Sequence, residues 1–441
     1  MVEWLKASGC KPDPRNAVRW FESNPAHQSG RASCKRRASF LGSFLSLTDR
    51  NFREYLIAVL CGDAGTQIAF IAISWHVFVL THLAFDLGLI GFVMFVPALI
   101  FAIPSGVIAD RYDRRQIVTV GRAVEILCAM TLLGLVLAGV TSVVPYLGVV
   151  ALLGSERALC RPAEKAFLRN IVDAERYVNA QATYASGREI VVIAAPSVGG
   201  LLLAFSTSAA FALAAVMAVV SCVAFLLLSV QRDVRAPEPQ TLATALAGLA
   251  FMRSRPVILG AITLDLFAVL FGGATALMPV YAATILHVGP AGLGYLRSAP
   301  AVGAALVAAV IARRPPQRRV GVLAFTSVSG FGIATIAFAV STQLWFSLLA
   351  LVVLGAFDVV GGVIRNGFVQ LNTPDAMRGR VTAVQSVFTT TSNELGAFES
   401  GTAAALLGTV PSVVAGGVAT LAVAAICAWA FPSLRTADRF E

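Results

Sequence analysis

Runs of roughly 20 apolar residues, parted by short polar breaks, recur along this chain between residues 54 and 432. At 1.5 Å of helical rise per residue, a run of ~20 residues spans the ~30 Å hydrocarbon layer of a bilayer. Lipid offers the backbone no hydrogen-bond partners, so a run of this kind is tolerable there only as a helix. A barrel is excluded, because barrel strands are short and alternate apolar with polar residues. Twelve candidate helices follow, at about 54–80, 86–108, 116–138, 143–163, 179–204, 209–230, 256–287, 291–312, 320–341, 344–366, 380–408 and 412–432. The expected fold class is all-α integral membrane with 12 transmembrane helices. Composition agrees: 57% of residues are hydrophobic and 13% charged, where soluble domains run near half and about 25%.

The basic residues set the orientation. Loops after even-numbered spans hold Arg111, Arg114 and Arg115; Lys165, Arg169 and Arg176; Arg232, Arg235, Arg253 and Arg255; Arg313, Arg314, Arg318 and Arg319; Arg378 and Arg380. Odd loops such as GVTSVV, AFSTSA and LGTVPS hold no Lys or Arg. The positive-inside rule then places both termini and every even loop in the cytoplasm. This asymmetry accounts for the net charge of +10. A nucleic-acid partner is not expected, since the charge is dispersed over separate loops. The seven cysteines are scattered without a CxxC, and the four histidines form no metal-binding pair, so no cofactor or metal is expected.

The two halves repeat. A shift of about 202 residues lays Arg53 and Asp63 on Arg255 and Asp265, Glu156 on Asp358, and Asp173 with Arg176 on Asp375 with Arg378. With slight slippage, Arg188-Glu189 falls on Asn393-Glu394. The register implies two pseudo-symmetric six-helix bundles of parallel topology, with a substrate site between them near the midplane. The expected organisation is a basic, disordered cytosolic tail over 1–52, bundles over 53–230 and 256–432, a linker over 231–255 and a cytosolic tail over 433–441. The tail lacks the apolar core of a secretion signal. In the linker, Leu242, Leu246 and Leu249 share one helical face, which suggests a short helix along the membrane surface.

Ionisable residues deep in a span cost at least ~2.5–3.5 kcal/mol near the centre and point to function. Spans 6, 9 and 12 contain none, and span 3 has only Arg122 and Glu125 near its cytosolic end. The others are Asp63, with Gln67 one turn on, Glu156, Arg157, Arg188, Glu189, Asp265, Arg297, Asp358, Arg365, Glu394 and Glu399. Candidate proton or substrate sites are Glu394, with Asn393 beside it, and Asp265, followed by Asp63, Asp358, Glu399, Gln67 and Arg297. Glu156 with Arg157 and Arg188 with Glu189 balance in charge and are expected to form a network between spans 4 and 5. Arg365 is expected to reach out to the cytosolic interface. Trp75, Phe267, Phe271 and Phe388 are candidates for stacking on a large amphiphilic substrate, although packing is the commoner role of such residues.

One short stretch concentrates charge: GVIADRYDRR over residues 106–115 lies between two apolar runs. Its pattern, Gly106, Asp110, Arg111, Arg114 and Arg115, resembles the loop motif between helices 2 and 3 of the major facilitator superfamily. The resemblance implies that Gly106 allows close helix approach and that Asp110 faces the start of helix 11 as a cytosolic gate. Family members usually have Gly where this chain has Asp113. Residues 370–401 and the stretch LDLFAVLFGGATALMPVYAATILHVGPAGLGYLRSAPAVGA are similar to the branch containing enterobactin (siderophore) exporters and macrolide-efflux proteins. In span 5, Pro196, Gly199 and Gly200 resemble the antiporter motif of drug exporters. In the superfamily, helices 3, 6, 9 and 12 form the outer support and the rest line the cavity, which agrees with the distribution of charge.

The resemblance implies a proton-driven exporter of an amphiphilic small molecule, a siderophore or drug, working as a monomer by alternating access in the bacterial inner membrane. A lipid or metabolite transporter of the same fold, and a membrane sensor or scaffold without flux, are the alternatives. An enzyme is not expected, because no nucleophile–base pair is legible.

Overall fold

The computed structural model describes residues 49–101, 104–173, 176–228 and 242–440; most of the expected N-terminal tail and residues 231–241 of the expected linker lie outside this range. The first half contains α1 (Arg50–Thr81), α2 in two pieces (Ala84–Ile100 and Pro104–Arg111), α3 (Arg114–Leu137), α4 (Val144–Phe167), α5 (Tyr177–Phe205) and α6 (Thr207–Leu227). The second half contains α7 (Pro256–Phe271, continued irregularly to Ile285), α8 (Gly289–Arg313), α9 (Val320–Ala339), α10 (Leu344–Leu371), α11 (Asp375–Leu407) and α12 (Thr409–Ala430). Among the described residues, nine helices are long and apolar enough to cross a membrane. α2, α4 and α11 fall outside that set. The longer piece of α2 is 17 residues, α4 carries Glu156, Arg157, Arg161 and Glu164, and α11 is rich in polar residues.

Local chemistry starts and breaks these rods. The Asp49 carboxylate accepts from the amides of Asn51 (3.0 Å) and Phe52 (3.4 Å), capping α1. Asp113, at the position where glycine is usual, caps α3 by accepting from the Arg115 amide at 2.9 Å. Sequence reading gave α2 as one span over 86–108. It ends at Ile100 and resumes at Pro104, because Pro104 has no amide to donate to the preceding turn and its ring crowds that turn. The span read over 256–287 is likewise interrupted: a 3₁₀ turn at Gly273–Leu277 and a π-turn at Tyr281–Ile285 follow the regular helix.

The apolar cores sort by face. On the face away from the basic loops, one core draws residues from both halves, including Ile71, Phe78, Met94, Leu277, Tyr281 and Leu296. On the basic-loop face the cores separate. Phe52, Tyr55, Phe167 and Phe225 cluster within the first half, while Leu264, Ile364, Phe368 and Leu434 cluster within the second. The halves therefore seal together on one face and part on the other. Two seams join them, α2 on α11 and α5 on α8, and both depend on missing side chains. Gly88 lies against Gly401, and Gly200 against Gly294, so closely that a Cβ on either partner would meet the opposing backbone.

The outward faces of α6, α9 and α12 expose Val219, Leu226, Ile333, Val322, Val418 and Ile426, as a lipid-facing surface requires. Both ends of the second half pack against it. In the linker helix (Leu242–Ser254), Leu249 is 40% exposed while Met252 is buried with Ile258 and Val381. Gly248 lies against the Arg380 backbone, so this helix docks on α11 through Gly248 and Met252, and the face carrying Leu249 points outward. The segment after α12 is a packed strap. The amide of Gly321 donates to Ala437 O at 2.9 Å, Asn372 Nδ2 donates to Phe440 O at 2.6 Å, and the Phe440 ring packs on Phe368.

Candidate functional site

Between the parted halves the buried charges converge. In the first half, Asp63 of α1 accepts from Arg188 Nε of α5 at 3.1 Å. Arg188 also lines a cavity of 510 Å³ with Tyr55, Tyr177, Gln181, Tyr184 and Glu189. Sites for drug-sized ligands run about 300–1,000 Å³. Gln67 is half-buried one turn beyond Asp63.

In the second half the equivalent aspartate, Asp265, has a different partner. It forms an ion pair with Arg365 of α10, and both side chains are largely buried. This corrects the expectation that Arg365 reaches the interface. Asp265 faces it across the bundle, and a guanidinium near an enclosed carboxylate is held there by charge pairing. Asp358 lines a small cavity beside Asp265, together with Ser327, Phe331 and Gly361.

Among the described residues, two contacts of charged side chains cross between the halves. Arg157 Nη1 of α4 lies 4.0 Å from Glu394 Oε1 of α11. The guanidinium of Arg297, on α8, stands 5.1 Å from the Phe70 ring centroid on α1, a cation–π arrangement. Arg297 Nε is buried without a hydrogen-bond partner among the described residues. Asn393 donates to Thr389 O of its own helix and is exposed, so it does not share the Glu394 contact. Glu399 accepts from Ser400 Oγ at 3.2 Å, a neighbour in sequence.

Among the described residues, no ion pair joins α4 to α5. Neighbouring residues on a helix point ~100° apart, so Glu156 and Arg157 serve different partners. Glu156 reaches α3, where its Oε1 lies 2.7 Å from where a Cβ on Gly121 would stand. Arg157 turns to α11, Arg188 turns to α1, and Glu189 lines the cavity. A cluster that sequence reading missed lies deeper in the first half. Arg122 bonds Glu125 at 2.7 Å and Glu164 at 2.8 Å, and Thr66 Oγ1 donates to Glu125 at 3.2 Å. Its guanidinium fills the space left by Gly62. The i, i+3 spacing of Arg122 and Glu125 was the available signal; Glu164 fell one residue past the expected end of span 4. Arg161, one turn before it, lies within the expected span, and its i, i+3 spacing from Glu164 is the same kind of signal.

The gate motif is partly described. Gly106 lies in the short piece of α2 that packs on α4. Arg114 Nη1 donates to Asn170 Oδ1 at 3.4 Å, and Arg115 Nη2 donates to Leu226 O at 2.6 Å. Both arginines thus tie the turn to its own half. The side chains of Asp110 and Arg111 lie outside the described residues. The Pro196, Gly199 and Gly200 motif sits at the sealed face. Gly199 lies against Ile68 and Ile71, Gly200 against Gly294, and Ser197 Oγ bonds Ser298 Oγ at 2.9 Å. Trp75 and Phe388 pack on apolar cores, and Phe267 stacks on Phe271.

Comparison with known proteins places this geometry. The profile of a family described as transmembrane secretion effector matches residues 41–439. The enterobactin exporter EntS of Escherichia coli O81 (strain ED1a) is 25% identical over 401 residues, covering 87% of this chain and 92% of that protein. The same exporter from Shigella boydii serotype 18 matches to the same extent. Among solved structures, the nucleoside transporter NupG superposes with a TM-score of 0.66 at 14% identity, covering 88% of this chain and 99% of that one. A bacterial homologue of the iron transporter ferroportin in its inward-facing state gives 0.66 at 16% identity, again covering 88% and 99%. The POT family transporter PepTSo gives 0.69 at 13%, with the same coverage. These structures share the fold.

Proposed function

Because this chain belongs to the transmembrane secretion effector family of the major facilitator superfamily, we propose that it exports an amphiphilic small molecule, of siderophore or drug-like type, in exchange for protons. The observation that carries this reading is the asymmetry of the cleft. Charged side chains of both halves gather between the bundles, where the basic-loop face is parted and the opposite face is sealed by one shared apolar core. With the basic loops and both ends of the chain in the cytoplasm of a bacterial inner membrane, this form receives cargo from inside the cell.

Alternating access requires that the sealed seam open and the parted face close. The bistable elements are the seams of α2 on α11 and α5 on α8, where glycine pairs let backbones slide without clashing side chains. Coupling requires a carboxylate whose partner changes between the two forms. Glu394 meets that description, since Arg157 approaches it from the other half at 4.0 Å. A rigid-body rotation lengthens or shortens that contact, while Asp63–Arg188 and Asp265–Arg365 stay within their halves. A proton on Glu394 removes the attraction across the cleft and shifts the balance between forms.

Inverted membrane vesicles test the reading. Energised vesicles containing the protein should accumulate a siderophore or amphiphilic dye, and a protonophore should collapse that accumulation. Accumulation indifferent to the proton gradient would refute proton exchange, and no accumulation of any such compound would refute export.

A further inference from the structure

Beyond α12 every third residue of the chain turns inward. Phe431, Ala437 and Phe440 pack on the core at the basic-loop end of the second half, and Leu434 is fully buried in it. Arg435, Thr436, Asp438 and Arg439 between them are exposed. Three helices leave room for this strap. Gly260 of α7 faces the Phe431 ring, Gly321 of α9 the Leu434 backbone and Gly367 of α10 the Phe440 ring, so closely that a Cβ at any of them would meet its neighbour.

Polar contacts close the strap onto α9 and α10. α9 starts from Arg319 in the left-handed conformation (φ 54°), with no cap from its own side chain. The amides at a helix start need partners, and the strap supplies them. The Asp438 carboxylate accepts from the Arg319 amide at 3.0 Å, and its carbonyl accepts from Val320 at 3.3 Å. Ala437 O accepts from Gly321 at 2.9 Å. At the end of α10, Asn372 Nδ2 donates to Phe440 O at 2.6 Å, and the Phe368 and Phe440 rings meet edge to face with centroids 5.3 Å apart.

The first half joins the corresponding helix ends by other means. Asn170, just past α4, accepts from Arg114 Nη1 at 3.4 Å, and Arg115 Nη2 donates to Leu226 O of α6 at 2.6 Å. Asn170 and Asn372 are 202 residues apart, the same shift that superposes the halves, so matching asparagines mark matching tie points. α3 opens with Arg114-Arg115, whereas α9 opens with Val320-Gly321. The first two positions of α9 carry no guanidinium to reach α10 or α12, and offer backbone amides to the strap instead.

We propose that residues 431–440 form a clasp that stands in for those two arginines, tying the basic-loop ends of α9, α10 and α12 together so that the second half turns as one body. The outer helices α9 and α12 are thereby joined to α10, which carries Asp358 and Arg365. The clasp concerns how a half moves and not what is carried, so a chain that fails the vesicle test for export leaves it standing.

Hydrogen–deuterium exchange of the full chain in lipid nanodiscs, read peptide by peptide, tests the clasp, because exchange reports local opening separately from global unfolding. Phe440→Ala empties the space over Gly367. It should speed exchange at least tenfold in the first turn of α9 and the last turns of α10 and α12, and leave α3, α4 and α6 within twofold of wild type. Asn372→Asp, which turns the donor to Phe440 O into an acceptor, should do the same with the ring in place. Arg114→Gln with Arg115→Gln should give the mirror image, with faster exchange at the ends of α3, α4 and α6 alone. Wild-type exchange in both strap variants would overturn the clasp. So would exchange quickened alike in both halves, which reports general loosening, or quickened in α9 alone, which would reduce the strap to a helix cap. An unchanged first half in the arginine variant would overturn the equivalence of the two ties.

Discussion

Asp63 and Asp265 occupy matching positions in the two halves, yet each is held by an arginine from a non-matching helix, Arg188 of α5 for the first and Arg365 of α10 for the second. The internal repeat therefore preserves the acid and not its partner. In the first half the pair borders the open cavity, and the Arg188 side chain is 41% exposed. In the second half both members are largely buried. Matching positions thus hold a solvent-facing pair on one side and a buried pair on the other.

That difference predicts opposite mutational signatures. Asp63→Asn should reduce efflux at least tenfold while leaving thermal stability in detergent within a degree or two, since the pair is water-accessible and such pairs contribute only ~0–1 kcal/mol. Transport at wild-type rates in this variant would remove the pair from the transport cycle.

Asp265→Asn should instead act on stability. It strands the buried Arg365, a loss of about 3–5 kcal/mol for a broken buried pair. Replacing both members, Asp265→Leu with Arg365→Met, should recover most of that loss, because an apolar pair of similar size avoids the desolvation cost. Unfolding followed by native-cysteine labelling would report it; a double variant as unstable as the single one would contradict this account.

Arg122 makes the stronger case for a purely structural charge. It is 4% exposed and bonded to two carboxylates. Arg122→Met should lower membrane abundance severalfold, by leaving Glu125 and Glu164 facing each other without a cation. Glu125→Gln with Glu164→Gln in the same chain should restore abundance, as seen by quantitative immunoblot. Persistent loss in the triple variant would mean that Arg122 matters for something other than neutralising the pair.

The helices were legible because bilayer thickness fixes their length: Val320 and Leu344 begin α9 and α10 where the apolar runs begin. Charged residues were legible as candidates for the same reason, being conspicuous in an apolar background. Their pairing was not. Arg365 read as an interfacial residue because sequence gives depth along one helix and not the identity of the facing helix; Asp265 is far along the chain. Glu156-Arg157 and Arg188-Glu189 read as a network because each pair balances in charge, whereas helical geometry sends neighbours to different partners. Pro104 marks the interruption of α2 in the sequence, but the apolar composition on either side of it reads as one span. Separation into one shared core and several private ones depends on tertiary packing, which no periodicity reports.

The sealed face gives the most direct test of alternating access. Ser197 Oγ on α5 and Ser298 Oγ on α8 are 2.9 Å apart, and the adjoining backbones approach through Gly200 and Gly294. Cysteines at both positions should meet the close spacing that a disulfide needs. In the chain carrying Ser197→Cys and Ser298→Cys, a mild oxidant should cross-link α5 to α8 and hold the face shut. Efflux should then fall to background, and a reductant should restore it, while either single variant should be insensitive to both reagents. The cross-link itself can be read by cleaving the linker between the halves and following their co-migration on a denaturing gel. A chain fully cross-linked by that criterion yet transporting at the reduced rate would show that α5 and α8 do not part during turnover, and the sealed seam would have to be a fixed joint.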